Sequence, residues 1–406
     1  MAVEHASHRF SPAAPELVED PFGGSPVWML TRHDDVTAML GDRRFVTNSR
    51  SLSGGSDFYA EMLVQLGIDE TVLPYLTGNL VHVDPEDHTR LRRLVTRAFT
   101  PRRIAKLRPR VQGITDELVD ALPARAERGA VDLVEHFAYP LSITVICELL
   151  GVPVQDRPLW RAWSEDIASM DPKRMNSMLA DVSAYVDDLA RERRARPADD
   201  LVTGLVQARD EDSGRLSDTE LITMVLTLMV AGHETTAHLI GNGITALLTH
   251  RDQLELLRAN PELMPGAVQE ILRWCSPIVL TQLRFATEEV TIGGARIRRG
   301  EQVQAVLSAA NHDPGRYPDP DVLDITRRVD SSGHPHLAYS HGAYYCLGAS
   351  LANQEAEAAF STLFGRYPGL ALAVPEGELA WRPQPHARQL IRLPVTLSSI
   401  PERSAV

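Results

Sequence analysis

Residues 339–349 read Tyr339-Ser-His-Gly-Ala-Tyr-Tyr-Cys346-Leu-Gly-Ala349, and an alanine-rich run to Phe360 follows them. Gly342 and Gly348 carry no Cβ, so they let the backbone lie flat against a bulky planar group. The run after Cys346 predicts a helix whose first N–H groups and positive dipole end face the sulfur and favour a thiolate. A lone thiolate in such a loop suits the axial ligand of a haem iron. The alternative is an ordinary buried cysteine at the start of a helix.

The segment resembles the haem-binding loop of the cytochrome P450 family, Phe-Gly-x-Gly-x-(His or Arg)-x-Cys-x-Gly. It differs at three positions: Tyr339 replaces Phe, Ser340 replaces the first Gly, and Tyr344 stands where a cation usually contacts a haem propionate. A phenol can donate a hydrogen bond to a propionate but adds no charge, so we expect a weaker contact there.

The resemblance implies a mainly α-helical fold with a small β component, the cytochrome P450 fold. It also implies a single domain over residues 1–406, with haem b (iron protoporphyrin IX) between a long central helix and the helix that follows Cys346.

Composition excludes some classes of protein. The 406 residues are 44% hydrophobic, enough for a large core, and the net charge of −13 disfavours nucleic-acid binding. The sequence shows neither a charged leader with an apolar run nor about eighteen consecutive apolar residues, so we expect a cytoplasmic protein without a membrane span. Three widely spaced cysteines fit neither a disulfide framework nor a zinc site.

Local signals place several elements. Asp84 and Pro85 predict a helix start, and this helix should run to about Phe99. Ser217-x-x-Glu220 predicts a capping box for a longer helix that reaches about His250 and, being apolar nearly all round, crosses the centre of the protein. Short apolar runs in residues 281–306 around Gly293-Gly294 predict a hairpin, and residues 390–396 predict a further strand.

The long helix contains Ala231-Gly-His-Glu-Thr-Thr236, an unfavourable composition for a helix interior. The resemblance implies that Ala231 and Gly232 leave space over the iron, that Thr235 hydrogen-bonds dioxygen, and that Glu234 relays protons from solvent. From the residues alone, a helix bent by threonine-to-carbonyl bonds explains the pattern equally well.

A zinc-protease pattern, His-Glu-x-x-His, is a rival explanation for His233, Glu234 and His238. The two histidines are five residues apart, so they diverge by about 140° around the helix and cannot share one metal. We therefore expect His238 to be a packing or surface residue.

Glu270 and Arg273 lie three apart on a predicted helix and can pair side by side. They match the family's Glu-x-x-Arg motif, which implies a structural lock on the thiolate side of the haem. The arginine that usually completes this lock is not evident, because the matching run at 317–324 offers Val322. We expect fewer charges in the lock, or another arginine.

The two haem propionates need cationic partners. His88 and Arg92 lie four apart on one helix face, and Arg284 follows the Glu-x-x-Arg helix. For each of them a surface cation is the alternative. The resemblance implies that the following residues contact the haem: His88, Arg92, Arg284, Tyr339, Gly342, Tyr344 and Gly348.

The function implied by the resemblance is insertion of one oxygen atom from dioxygen into a C–H or C=C bond of a hydrophobic small molecule. The most similar members are actinobacterial enzymes that tailor macrolides and other secondary metabolites. Candidate pocket residues by the same analogy are Leu80, Val81, Met229, Val230, Val279, Leu280, His386 and Ala387.

Electrons from NAD(P)H are expected to arrive through a separate ferredoxin and ferredoxin reductase, with an acidic ferredoxin docking on some of the arginines at 92, 93, 97, 102 and 103. We expect a monomer with no nucleic-acid or membrane partner. The alternatives are a peroxide-driven or aryl-coupling haem oxidase and a non-catalytic haem sensor. Glu234 and Thr235 argue against the sensor, which has no use for proton delivery, and the resemblance implies that peroxide-using members of the family tend to lack such a pair.

Overall fold

The computed structural model describes residues 12–19, 25–52, 55–169, 171–211, 216–327, 335–384 and 386–397. The α-helices within these ranges are α1 (His33–Gly41), α2 (Phe58–Gln65), α3 (Leu73–Thr77), α4 (Pro85–Ala98), α5 (Pro101–Ala121), α6 (Tyr139–Leu150), α7 (Arg157–Ala168), α8 (Pro172–Ala195), α9 (Leu201–Glu211), α10 (Asp218–Thr249), α11 (Arg251–Ala259), α12 (Met264–Cys275), α13 (Leu307–Ala310) and α14 (Ala349–Arg366).

The strands are short: β1 (Glu16–Val18), β2 (Val27–Leu30), β3 (Phe45–Val46), β4 (Val131–Asp132), β5 (Arg284–Ala286), β6 (Val290–Ile292), β7 (Ala295–Ile297), β8 (Gln302–Ala305), β9 (Ala371–Leu372) and β10 (Pro394–Thr396). The prediction of a mainly helical protein with a small β component is therefore confirmed.

Within the described ranges the strands form three small sheets. The largest has the strand order β1-β2-β8-β5-β3, in which only β2 and β8 are parallel. The predicted hairpin is β6-β7, whose turn residues Gly293 and Gly294 have φ of 57° and 86°. Two consecutive residues with positive φ are what a tight two-residue hairpin turn requires. The predicted strand at 390–396 is confined to β10, which pairs with β4 and β9.

Helix α10 is the centre of the molecule and packs against α6, α12 and α14. The predicted capping box is present, because the Ser217 hydroxyl accepts the Glu220 N–H and the Glu220 carboxylate accepts the Ser217 N–H. Every residue from 236 to 248 is buried. A helix that is apolar all round is stable in water only when other parts of the protein bury it, and this half of α10 is buried in that way.

Helix α4 begins at Pro85, as predicted, but Asp84 does not cap it. Its Oδ1 instead accepts the N–H groups of Thr47 and Asn48, at 2.9 and 3.0 Å. The carboxylate therefore fixes the start of α4 to the segment after β3. Pro85, at the first helical position, has no backbone N–H that would need a capping acceptor.

One large apolar core runs through the helical part, and two smaller clusters lie under the sheets. Within the described ranges, no helix combines the length and the apolar character needed to cross a lipid bilayer. That residues 1–406 form a single domain stays a prediction.

Candidate active site

The loop before α14 is closed by its own backbone. The Cys346 N–H donates to the Tyr339 carbonyl at 2.9 Å. Gly342 has a φ of 68°, and a Cβ there would lie 3.1 Å from the Leu40 carbonyl oxygen, so this position requires glycine. Ser340 has a φ of 63°. Because a serine there replaces the glycine of the family pattern, it holds backbone strain of about 1–3 kcal/mol.

The Cys346 thiol lies at the N-terminal end of α14. Burial raises its pKa, while the N–H groups of Gly348 and Ala349 and the charge of Arg92 oppose that rise. The two N–H groups face the sulfur as the sequence predicted, but burial outweighs them in the free thiol. A metal cation bound at the sulfur would make this thiol a stable anion.

A cationic and aromatic cluster lies beside this loop. The Tyr344 ring is stacked between the His88 ring, with centroids 4.1 Å apart, and the Arg284 guanidinium, 4.0 Å from the ring centroid. Arg92 donates to the Tyr345 carbonyl at 2.7 Å. The Tyr344 hydroxyl donates to the Val83 carbonyl at 2.8 Å, so it is not directed at a propionate as the sequence had suggested.

The cluster lacks an anion of its own. Within the described ranges, no acidic side chain forms an ion pair with His88, Arg92 or Arg284, and the buried Arg284 Nε has no hydrogen-bond partner. Burial lowers the pKa of both arginines, and burial together with their charges lowers the pKa of His88 to about 4. At neutral pH the cations of this cluster are the buried Arg284 and the half-buried Arg92, while His88 is a neutral hydrogen-bonding group. A buried cation without an anionic partner is costly, so these residues fit a ligand that brings carboxylates, as haem does.

Helix α10 has an accessible window. Between residues 227 and 235 only Met229 and His233 are buried, whereas Ala231 is exposed and Glu234 and Thr235 are half-buried. The helix is continuous there, and the Thr235 hydroxyl donates to the Ala231 carbonyl at 2.7 Å. The threonine-to-carbonyl bond considered from the sequence is therefore present, and it leaves the oxygen lone pairs of Thr235 available.

Gly232 has a different role from the one predicted. A Cβ on this residue would lie 2.7 Å from Cδ1 of Ile146 on α6. Its missing side chain therefore allows α10 and α6 to pack closely, and it does not open space in the window. Ala231 is the small residue that keeps the window accessible.

Glu234 lies among polar groups that the sequence did not predict. Its Oε1 is 3.4 Å from Gln389 Nε2 and 3.9 Å from His238 Nε2, and the His238 nitrogen is 3.1 Å from the Tyr139 hydroxyl. His238 is buried and is no surface residue. The spacing of four residues between Glu234 and His238 was the available signal for their contact.

The lock around Glu270 uses three charges. Both carboxylate oxygens accept from Arg273, each at 2.8 Å, and Arg327 Nε donates to them at 3.1 and 3.2 Å. Arg273 also donates to the carbonyls of Asn311, Pro320 and Val322. Arg327 is thus the other arginine that the sequence left open, and the Val322 side chain is exposed.

The predicted pocket residues fall into separate groups. The backbone carbonyl of His386 accepts the Val279 N–H at 2.9 Å, and Ala387 forms a β-bridge with Ile278. The segment at 279–280 therefore lies beside the segment at 386–387. Val230 and Leu280 are half-buried, whereas Leu80, Met229, Val279 and Ala387 are buried. Val81 and His386 are exposed.

The outer side of the Cys346 loop forms a shallow depression of about 440 Å³. Its wall includes Tyr345, Arg108, Asn353 and Glu357. This depression gives an approach from the protein surface to the sulfur side of the site.

A thiol-bearing loop, an unpaired cationic cluster and an open window in a central helix define a haem-thiolate type of site. The family model described as Cytochrome P450 matches residues 157–369. The chain belongs to the cytochrome P450 family, and it is therefore a haem-dependent monooxygenase that uses dioxygen.

Relatives cover nearly the whole chain. The 6-deoxyerythronolide B hydroxylase of Saccharopolyspora erythraea is 42% identical over 93% of this chain and 91% of its own length. The cytochrome P450 monooxygenase PikC of Streptomyces venezuelae is 44% identical over 92% of this chain and 85% of its own length. The solved structure of the bacillaene polyketide synthase cytochrome P450 PksS of Bacillus subtilis 168 superposes with a TM-score of 0.84 and has 34% sequence identity. The match covers 97% of this chain and 95% of that chain.

Proposed function

We propose that this monooxygenase inserts oxygen into a C–H or C=C bond of a polyketide-derived compound or a similar hydrophobic secondary metabolite. The observation that carries this is that α14 and α10 are in contact, with the half-buried thiol loop at the start of α14 and the window that presents Glu234 and Thr235 on α10. The substrate class is supported by relatives named as a 6-deoxyerythronolide B hydroxylase and a polyketide synthase cytochrome P450.

The residues that would hold the haem are those of the loop and the cationic cluster. Cys346 would bind the iron, and His88, Arg92 and Arg284 would pair with the propionates. When bound, the haem supplies the redox chemistry that activates dioxygen. Tyr344 keeps His88 and Arg284 apart by lying between them, and Gly342 lets the loop backbone approach α1 closely.

The chain's own residues handle protons and exclude water. The N–H groups of Gly348 and Ala349 hold the sulfur in place. Burial alone would raise the pKa of the Glu234 carboxylate. The neighbouring His238, together with His233 and Arg382, outweighs burial and lowers the pKa. The carboxylate can accept a proton at neutral pH and pass it on. The Thr235 oxygen, whose own O–H donates to the Ala231 carbonyl, can accept a hydrogen bond at the window.

Replacing Thr235 by alanine is expected to uncouple electron use from oxygenation. Positioned proton transfer contributes about 10²–10⁴-fold, so the hydrogen peroxide released per NADPH oxidised should rise several-fold or more. The control is Thr245→Ala, which removes the same kind of bond, to the Gly241 carbonyl at 2.9 Å, in the buried part of α10. Equal peroxide release in the two variants would show that Thr235 only shapes the helix.

The electron donor is proposed to be a ferredoxin, reduced by a ferredoxin reductase with NAD(P)H, that binds at the depression beside Cys346. Arg97 on α4 and Arg102 on α5 are exposed, and α5 also carries Arg108, which lines the depression. Charge complementarity of this kind mainly raises the association rate.

The double change Arg97→Glu and Arg102→Glu should then lower turnover with ferredoxin by about tenfold or more, and the loss should grow smaller as salt is added. Turnover driven by hydrogen peroxide should be unchanged. A control is Arg191→Glu on α8, which already pairs with Asp187 and Asp188. Equal losses in the ferredoxin and peroxide assays would contradict docking at this face.

The substrate class is tested with a set of macrolactones and linear polyketides that includes 6-deoxyerythronolide B. Binding is followed by the absorption change of the haem, and the product by a mass increase of one oxygen atom. Conversion of aromatic phenols to coupled dimers, with no oxygenated polyketide, would favour the aryl-coupling alternative. The monomeric state and the cytoplasmic location stay predictions.

A further inference from the structure

The accessible window of α10 is connected to the half-buried ring of Tyr139 by one histidine. His238 Nε2 lies 3.1 Å from the Tyr139 hydroxyl and 3.9 Å from Glu234 Oε1. Gln389 Nε2, at 3.4 Å, holds the same carboxylate oxygen from the C-terminal segment. Tyr139 and Gln389 come from elements far apart in sequence, so their meeting at Glu234 is a product of the fold.

Two local features aim these groups at one another. Glu234 and His238 are four residues apart on α10, so their side chains lie on one face of the helix. Tyr139 is the first residue of α6 and directly follows a π-helical turn, Val134–Ala138. A π turn takes one more residue than an α turn and so rotates the side chains that follow it. The helix that carries Tyr139 is also a main packing partner of α10.

The charged and titratable groups that face this connection are few. They are His233, Glu234 and His238 on α10, Tyr139 on α6, and Arg382 in the C-terminal segment. Burial, and then the negative charge of Glu234, raise the pKa of Tyr139, and Arg382 opposes this. Tyr139 therefore keeps its hydroxyl proton at neutral pH, and the hydroxyl can donate a hydrogen bond to His238 Nε2. His233 is bonded through Nδ1 to the carbonyl of Met229 and lies outside the path.

We propose that Tyr139 and His238 relay protons from solvent to Glu234, as positioning residues that act on oxygenation through that carboxylate. The inference rests on the proposed function, in which Glu234 delivers protons to the site.

The transfer balances without any electron donor. As a hydronium ion from solvent protonates the Tyr139 oxygen and becomes water, the Tyr139 O–H proton moves to the lone pair of His238 Nε2, so that no tyrosinate is formed. The Nε2–H bond then breaks, the proton passes to Glu234 Oε1, and His238 is neutral again. Direct transfer needs a separation of about 2.6–3.2 Å, so the His238 and Glu234 side chains must approach by roughly 1 Å. This approach requires a χ rotation of Glu234, whose contact with Gln389 Nε2 is long at 3.4 Å.

Three variants test the relay: His238→Gln, Tyr139→Phe and Glu234→Gln. The first readout is independent of turnover and follows the infrared carboxyl band of Glu234 against pH in the haem-loaded protein, with Glu234→Gln used to assign the band. His238→Gln should raise the pKa of Glu234 by about one unit, because the imidazole that opposes the effect of burial on this carboxylate is lost. Tyr139→Phe should leave it nearly unchanged, since Tyr139 is neutral.

The second readout is hydrogen peroxide released per NADPH oxidised with a surrogate ferredoxin and reductase. His238→Gln and Tyr139→Phe should each raise it several-fold, and the double variant should equal the larger single effect because both act on one path. The control is His250→Gln at the end of the same helix, where Nδ1 contacts only neighbouring groups of its own helix end. It should change neither readout.

The outcomes separate the two claims. If Glu234→Gln raises peroxide release and the other two variants do not, the relay is wrong and the role of Glu234 stands. An unchanged pKa of Glu234 in His238→Gln also overturns the relay. If Glu234→Gln itself has no effect, the proposed proton delivery fails, and the relay fails with it.

Discussion

Replacement of Cys346 by serine is expected to abolish oxygenation while the protein still folds. The thiol is held by backbone N–H groups of Gly348 and Ala349, and a hydroxyl of similar shape fits the same place. Loss of groups that only orient a metal ligand already costs about 10–100-fold in affinity or activity, so loss of the ligand itself should cost more than about 100-fold. Haem content per chain and product formation measure this directly.

The other two cysteines provide the control. Cys147 and Cys275 are fully buried, and burial raises the pKa of each to about 12. Conservative changes to serine at these positions should keep the haem and its absorption spectrum. If Cys147→Ser or Cys275→Ser lost the haem spectrum and Cys346→Ser kept it, the assignment of the ligand would be wrong.

Replacement of Glu270 by glutamine is expected to cause the largest loss of stability of any single change considered. It leaves the buried guanidinium of Arg273, which is 1% exposed, and that of Arg327 without their shared carboxylate. Removing one partner of a buried pair costs about 3–5 kcal/mol, because the remaining charge stays buried and uncompensated. The free energy of unfolding in urea measures the loss.

Helix α11 offers a matched pair for comparison. Glu255 and Arg258 have the same spacing and an N–O distance of 2.6 Å, but the Glu255 side chain is 65% exposed. Glu255→Gln should change the free energy of unfolding by less than about 1 kcal/mol. Comparable losses for the two glutamates would mean that burial does not set the strength of the Glu270 lock.

The parts of the fold predicted correctly follow from short-range rules. The capping box at Ser217 and the two glycines at 293 and 294 each depend on residues a few positions apart. The buried half of α10 follows from its apolar composition. The loop before Cys346 could also be predicted, because its chemistry is contained in about ten consecutive residues.

The parts that were missed depend on long-range packing. Arg327 reaches Glu270 from 57 residues away, and Gln389 reaches Glu234 from 155 residues away. No local pattern indicates such pairs. Gly232 was given the wrong reason for its size because its face on α10 depends on where α6 lies. His238 was expected to be a packing or surface residue, and it is buried, but its contact with Tyr139 on another helix has no local signal in the sequence.

The central claim is that Cys346 binds a haem iron as a thiolate. It is tested most directly by the absorption spectrum of the reduced wild-type protein under carbon monoxide. We predict the Soret band at the long wavelength characteristic of thiolate ligation, and its loss in Cys346→Ser. A Soret band at the shorter wavelength of histidine-ligated haem, in freshly purified and folded protein, would contradict the account.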